Sequence, residues 1–208
     1  MIAAALTERT LVQGVFELAQ RDPDLARIHA RWGVPPLWAR EPGYPTLVRI
    51  ILEQQVSLAS AQAAYARLLA AVSPLTPEGF LAVDDVALKA IGFSHQKAGY
   101  ARGLARSLQT GQLDLDSLAA LDDEAVTGAL VALKGIGRWS ADIYLLMALR
   151  RPDAWPSSDL ALAQAAQRAK RLKARPGPAA LDAIGAAWRP WRAVAARMLW
   201  FDYLEGKP

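Results

Sequence analysis

Apolar residues recur along this chain at the three- and four-residue spacing of helices. Nowhere do they alternate as a half-buried strand requires, so the pattern leaves only an all-α fold open. Leu11, Val15 and Leu18 mark one face of a helix from Thr7 to Gln20, and Asp22-Pro23 starts a shorter one that Gly33-Val-Pro-Pro36 ends after Trp32. Pro45 opens a strongly apolar helix that runs into Glu53-Gln54-Gln55-Val56-Ser57, and Ser57 caps an Ala-rich helix to about Val72. Thr76-Pro77 and Asp84-Asp85 each start a short helix. Ser94 caps another that carries His95, Lys97, Tyr100 and Leu104 and stops near Gly111. Two final helices end near Tyr203, with Pro190 at the start of the last.

The chain's organising stretch is Ala129–Gln164. Asp122 followed by Val126, Leu130 and Leu133 is a capped helix, because an Asp side chain satisfies amides that the first turn leaves unpaired. Gly135 and Gly137 break it, free to take positive φ and to come close to something bulky. Helical spacing resumes from Arg138 to Arg150 at Trp139, Ile143, Leu146 and Met147. The Gly-Ile-Gly amides therefore sit at a helix N-terminus, where the dipole and unpaired N–H groups favour a phosphate oxygen. Such a grip holds a nucleic-acid backbone without reading sequence. A plain turn between two helices has the same local chemistry.

The whole pattern is more specific. Leu130-x-x-Leu133-x-Gly135-Ile136-Gly137-x-x-Ser140-Ala141, followed by Pro156-Ser-Ser-Asp159, resembles the helix-hairpin-helix DNA glycosylase superfamily, and within it most closely the 3-methyladenine DNA glycosylase II branch. Trp139 after Gly-Ile-Gly-Arg and the tail from Trp188-Arg-Pro-Trp191-Arg to Trp200 share that likeness, which covers roughly Pro45 to the C-terminus. The resemblance implies one all-helical glycosylase unit over residues 1–208, with two helical lobes flanking a DNA-facing cleft. It places the hairpin at 133–138 and a catalytic loop at 151–159, and it implies no additional N-terminal sheet domain.

By the same resemblance Asp159 is the catalytic carboxylate, and Trp139 and Trp200 fall where the branch has its pocket tryptophans. Ile143 stands where a well-known form of the family has an aromatic, so the neighbouring Tyr144 joins the candidate base pocket. Gly135, Ile136, Gly137, Arg138 and Ser140 are the implied DNA contacts of the hairpin. Ile51-Leu52-Glu53-Gln54-Gln55-Val56-Ser57 resembles the segment that pushes a residue into the duplex where a nucleotide leaves the stack, which makes Gln55 the wedge; the alternative is that Gln54 and Gln55 only finish a helix and bond to backbone. Lys97, in a turn resembling one on the family's DNA side, is a candidate phosphate contact, against the plainer reading of a solvated lysine. Relatives hold an alkali metal ion on hairpin carbonyls, which here belong to Val131, Leu133 and Ile136; no cofactor is otherwise expected to be required.

The implied reaction is removal of a damaged base. The nucleotide is extruded from the duplex into a stacking pocket, and a carboxylate stabilises the oxocarbenium-like sugar and orients a water. Alkylated purines such as 3-methyladenine and 7-methylguanine already carry positive charge and leave readily. Their pocket wants electron-rich faces, because a cation over an indole ring gains roughly 0.5–2 kcal/mol. In branches that also cut the strand, a lysine two residues after the last hairpin glycine attacks the sugar. Here that residue is Trp139 and Arg138 is too basic to serve, so the expectation is a monofunctional glycosylase of base excision repair that leaves an abasic site.

Composition bounds the alternatives. At 208 residues and 53% hydrophobic the chain can bury a sizeable core, and a net charge of +4 permits a polyanionic partner without requiring one. Without cysteine there is no disulfide, thiolate metal site, cysteine nucleophile or four-cysteine iron–sulfur cluster. His29 and His95, the only histidines, are too far apart in the chain for a histidine-rich metal site. No apolar run reaches the roughly 20 residues of a membrane span, so the expected setting is cytoplasmic, nucleoid-associated if bacterial. The expected partner is double-stranded DNA containing alkylated bases, bound by a monomer. Two rivals stand beside this reading: a non-catalytic helix-hairpin-helix DNA-binding protein, and a glycosylase for oxidised or mismatched bases.

Overall fold

A computed structural model describes residues 4–206; the ends of the expected unit, residues 1–3 and 207–208, lie outside them. Every regular element among the described residues is helical, as the apolar spacing requires. In chain order the helices are α1 (Glu8–Arg21), α2 (Pro23–Trp32), α3 (Tyr44–Glu53), α4 (Leu58–Ala71), α5 (Pro77–Leu81) and α6 (Asp85–Ile91). There follow α7 (His95–Gln109), a 3-10 turn (Ser117–Ala120), α8 (Asp123–Val131), α9 (Arg138–Met147), α10 (Leu160–Ala169), α11 (Pro178–Ala186) and α12 (Arg192–Glu205). Thr7, Asp22, Ser57, Thr76, Asp84, Ser94, Asp122 and Asp159 each accept a backbone N–H from the first turn of their helix, which bears out the helix starts read at Asp22, Ser57, Thr76, Asp84, Ser94 and Asp122.

Three boundaries differ from expectation. α9 stops at Met147 and not near Arg150, which takes a φ of 53°. The sequence after Asp159 predicts a helix to about Lys173, but α10 ends at Ala169 because Arg171 turns left-handed at φ 53°, leaving Lys170 to Arg175 outside the helix. The last helix begins at Arg192, two residues beyond Pro190.

The chain divides into two compact units. One comprises residues 1–39 and 145–208, the other 40–144. In the first, α12 is the central helix. Its residues from Ala193 to Trp200 are all buried, while α1, α2, α10 and α11 pack around it. Alanines at 163, 165, 166, 193, 195 and 196 let backbones approach closely. Arg197 is fully buried there. Its guanidinium donates to the carbonyls of Leu37 (2.8 Å), Ala193 (2.9 Å) and Leu146 (2.8 Å), and burial pushes its pKa down to about 10. A polar knot ties α2 to α10: Asp22 caps α2 and accepts from Lys170 (2.5 Å) and from the indole N–H of the buried Trp188 (2.8 Å). Trp188 is thus core, and the half-buried Trp191 donates to Glu17 at 2.7 Å.

In the second unit the central helix is α3. Leu47, Val48, Ile50 and Ile51 have no exposed surface, and α4 and α7 cover them. Phe80 sits edge-on to both Tyr44 and Phe93 and closes this core under α5. Glu53, at the end of α3, receives a two-pronged hydrogen bond from Arg40 (2.9 and 2.9 Å) and a third from Arg49 (3.1 Å), which fixes the helix terminus in space.

Candidate active site and nucleic-acid interface

The hairpin belongs to the unit of residues 40–144. α8 ends at Val131, a short turn carries Lys134 to Gly137, and α9 begins at Arg138 with the Gly137 carbonyl accepting from Ala141 N–H (3.1 Å). The two glycines do different work. Gly135 takes φ +92° under the ring of Tyr100, and an added Cβ would lie 2.1 Å from Tyr100 Cγ, so both backbone and packing demand glycine. Gly137 has no positive φ, and a Cβ there would meet nothing within 4 Å. Nothing within the fold requires Gly137 to lack a side chain. A phosphate pressed against the first-turn amides of α9 would require it.

The remaining hairpin residues divide into holders and presenters. Ile136 is buried and staples the turn to the core. Ser140, also buried, takes part in a hydrogen bond with Gln54 Nε2 (3.0 Å), which donates as well to the Gly135 carbonyl (2.9 Å). Arg138 is exposed, and its Nε donates to the buried carboxylate of Asp142 (3.0 Å), one turn along α9. Gln55 is exposed at φ +56°, a left-handed conformation rare for glutamine. Trp139 is half-buried in the first turn of α9.

Two sequence-derived assignments change. Tyr144, placed in the base pocket, is fully buried; its hydroxyl accepts the Gly43 amide (3.1 Å), and burial raises its pKa. With Tyr144 facing the core of α9, Ile143 is buried too, so the residue beside the missing aromatic does not replace it. Lys97, a candidate phosphate contact, spends its ammonium on the carbonyls of Leu52 (2.8 Å) and Gln54 (2.7 Å), and burial lowers its pKa. It is a clasp on the C-terminal end of α3, where carbonyls lack helical partners. Sequence reasoning missed the role of Tyr100, which only three-dimensional packing lays over Gly135.

The carboxylate site belongs to the other unit. Asp159 follows Pro156-Ser157-Ser158, caps α10 by accepting Leu162 N–H at 2.7 Å, and accepts the indole N–H of Trp200 at 3.2 Å. It is half-buried, and its partners include an amide of its own helix and a donor from α12. Trp200 itself is only 8% exposed. Leu160, immediately after the carboxylate, leaves 64% of its surface exposed. A carboxylate fixed by N–H donors on a rigid helix terminus stays oriented and can stabilise a developing positive charge. Among the described residues no group of three or more acidic or histidine side chains could hold a metal ion.

An all-helical chain in which a Gly-Ile-Gly turn opens a helix, with a capping aspartate further along, has the make-up of the helix-hairpin-helix repair folds. The chain belongs to the HhH-GPD superfamily of base excision DNA repair proteins, whose family model matches residues 48–191. It is 28% identical over 165 residues to a putative DNA-3-methyladenine glycosylase of Bacillus subtilis, covering 76% of this chain and 58% of that protein. It is 32% identical over 198 residues to a probable bifunctional transcriptional activator/DNA repair enzyme of Mycobacterium tuberculosis, covering 90% of this chain and 39% of that one. The chain therefore spans about two fifths to three fifths of the length of these two relatives. Among solved structures it is similar to the 3-methyladenine DNA glycosylase of Schizosaccharomyces pombe in complex with abasic DNA: TM-score 0.86, 26% identity, 90% of this chain and 95% of that one.

Proposed function

We propose that this protein is a monofunctional DNA glycosylase that everts alkylated bases such as 3-methyladenine and 7-methylguanine from double-stranded DNA and releases them by hydrolysis. The observation that carries the reading is Asp159, a half-buried carboxylate fixed by the Leu162 amide and the Trp200 indole N–H at a helix terminus. Its charge offsets the positive charge of the sugar as the base departs, and a water completes the substitution. The names of the relatives support the substrate class. Trp139 in place of an amine nucleophile supports release without strand cleavage.

On this reading the hairpin amides near Gly137 take a phosphate, Arg138 adds charge, and Gln55 enters the stack where the nucleotide leaves. An indole face, of Trp139 in one unit or of Trp200 in the other, favours a cationic base. The carbonyls of Val131, Leu133 and Ile136 suit an alkali ion in so far as the C-terminal end of α8 gathers partial negative charge; one of them, Leu133 O, already accepts Ile136 N–H (3.1 Å). Such an ion would supply positive charge toward a phosphate. Cytoplasmic residence and action as a monomer are part of the same proposal; no described helix is long and apolar enough to cross a membrane.

The test is incubation with methylated duplex DNA and identification of the freed bases. Wild type should release 3-methyladenine and leave abasic sites without nicks, while Asp159→Asn should release none and still bind DNA. Absence of any freed base from wild type would remove the enzyme and leave a binding protein. Release confined to duplexes with oxidised or mismatched bases would replace the substrate class.

A further inference from the structure

The turn after α3 is fixed from two sides by side chains that the proposed chemistry leaves unused. From α7, Lys97 Nζ grips the carbonyls of Leu52 and Gln54 at 2.8 and 2.7 Å. From the turn itself, the Gln54 amide donates to Gly135 O (2.9 Å) and lies 3.0 Å from Ser140 Oγ, so the turn and the hairpin are tied directly. Between these anchors Gln55 stands exposed at φ +56°. Glycine or asparagine would serve a left-handed turn at less cost, so the fold alone gives no reason for a long amide side chain there. Beside it Val56 and Leu58 are 46% and 61% exposed. An amide flanked by apolar groups matches the edge of an opened base step, with hydrogen-bonding rims and a greasy interior.

We propose that Lys97 is a positioning residue that, with Gln54, locks the turn over residues 54–57 to the hairpin, so that Gln55 is preset for entering the duplex before DNA arrives. This rests on the DNA-binding reading above and goes beyond it by giving Lys97 a role exerted through Gln55 and not through a phosphate. The lysine suits that task. Its partners are two carbonyls at a helix C-terminus, and burial lowers its pKa, both of which mark an ammonium turned inward to backbone. A rigid turn pays no ordering cost on binding, which is how a residue that never touches the ligand changes affinity.

A double-mutant cycle tests this, with Kd measured for a duplex carrying a tetrahydrofuran abasic analogue and for the same duplex undamaged, and with a neighbouring 2-aminopurine reporting unstacking. Lys97→Met and Gln55→Ala should each weaken abasic-duplex binding by about tenfold, and the double variant should be no weaker than Gln55→Ala alone to within about twofold. Undamaged-duplex affinity should hold within about threefold, because phosphate contacts dominate it. Gln54→Met, which cuts the other tie, goes through the same cycle, so the result does not hang on one variant's stability. Losses that multiply for both pairs would overturn the proposal while leaving DNA binding intact, as would an equal loss on both duplexes. If wild type binds neither duplex, the DNA-binding reading itself fails.

Discussion

Replacing the two hairpin glycines separately should give opposite results. Gly135→Ala meets a left-handed backbone penalty of about 1–2 kcal/mol at φ +92°. Its Cβ also falls 2.1–2.5 Å from three ring atoms of Tyr100, so the ring must leave, at an overpacking cost of about 1–3 kcal/mol. The sum, about 2–5 kcal/mol, lowers Tm by roughly 5–15 °C for a chain this long. Gly137→Ala meets no atom within 4 Å and no positive φ, so stability should hold or rise by up to about 1 kcal/mol through a less flexible unfolded chain. Its effect should fall on DNA instead. A methyl held where a phosphate oxygen approaches the amides should remove about 1.5–3 kcal/mol of charge-assisted hydrogen bonding, a roughly 10- to 100-fold loss of duplex affinity. Thermal unfolding and fluorescence anisotropy on an abasic duplex measure the two. A Gly137→Ala protein with wild-type Tm and wild-type affinity would refute the phosphate-grip argument, and a stable Gly135→Ala would refute the packing argument.

Further outcomes follow from other contacts. Asp159→Asn keeps an N-cap acceptor, so Tm should stay within about 2 °C while single-turnover base release falls by at least about 1,000-fold. Trp200→Phe keeps the aromatic bulk but loses the N–H that Asp159 accepts, so kcat should fall about 10- to 100-fold with KM little changed; a pure KM effect would limit Trp200 to stacking. The Asp22–Asp24–Lys170 cluster predicts a flat stability profile with two edges. Burial works against both carboxylates, yet hydrogen bonds from Lys170 and other donors hold them below their ordinary 3.8, so their contribution is full above that value and fades as pH falls further. Burial works against the lysine too, yet Asp22 and Asp24 raise it above 10.5, so its contribution is full below that value and is lost as pH climbs through the raised one. In Lys170→Met both edges should shrink in urea titrations across pH; unchanged edges would show that the cluster carries no linkage. Arg197→Met leaves three buried carbonyls without their donor and should cost about 2–4 kcal/mol by chemical denaturation.

The sequence by itself determined the helices, their caps and the candidate carboxylate. A capping side chain, a helical apolar stripe and a glycine turn all act within a few residues, so Asp22, Ser57, Ser94 and Asp122 are legible one segment at a time. The family pattern from Leu130 to Asp159 was legible for the same reason, since a motif is local spacing. Tertiary structure decided the rest. Tyr144 and Lys97 were misplaced because the direction of a side chain depends on what packs against its helix. Gly43 and the core of the second unit claim one, and the carbonyls ending α3 claim the other. The two glycines looked equivalent in the sequence; they differ because Tyr100, thirty-five residues before Gly135, lies over one and nothing lies over the other. Contacts between residues far apart in the chain leave no periodicity behind, and that is why Gln54 on Gly135 and Trp200 on Asp159 became visible only once the helices were packed.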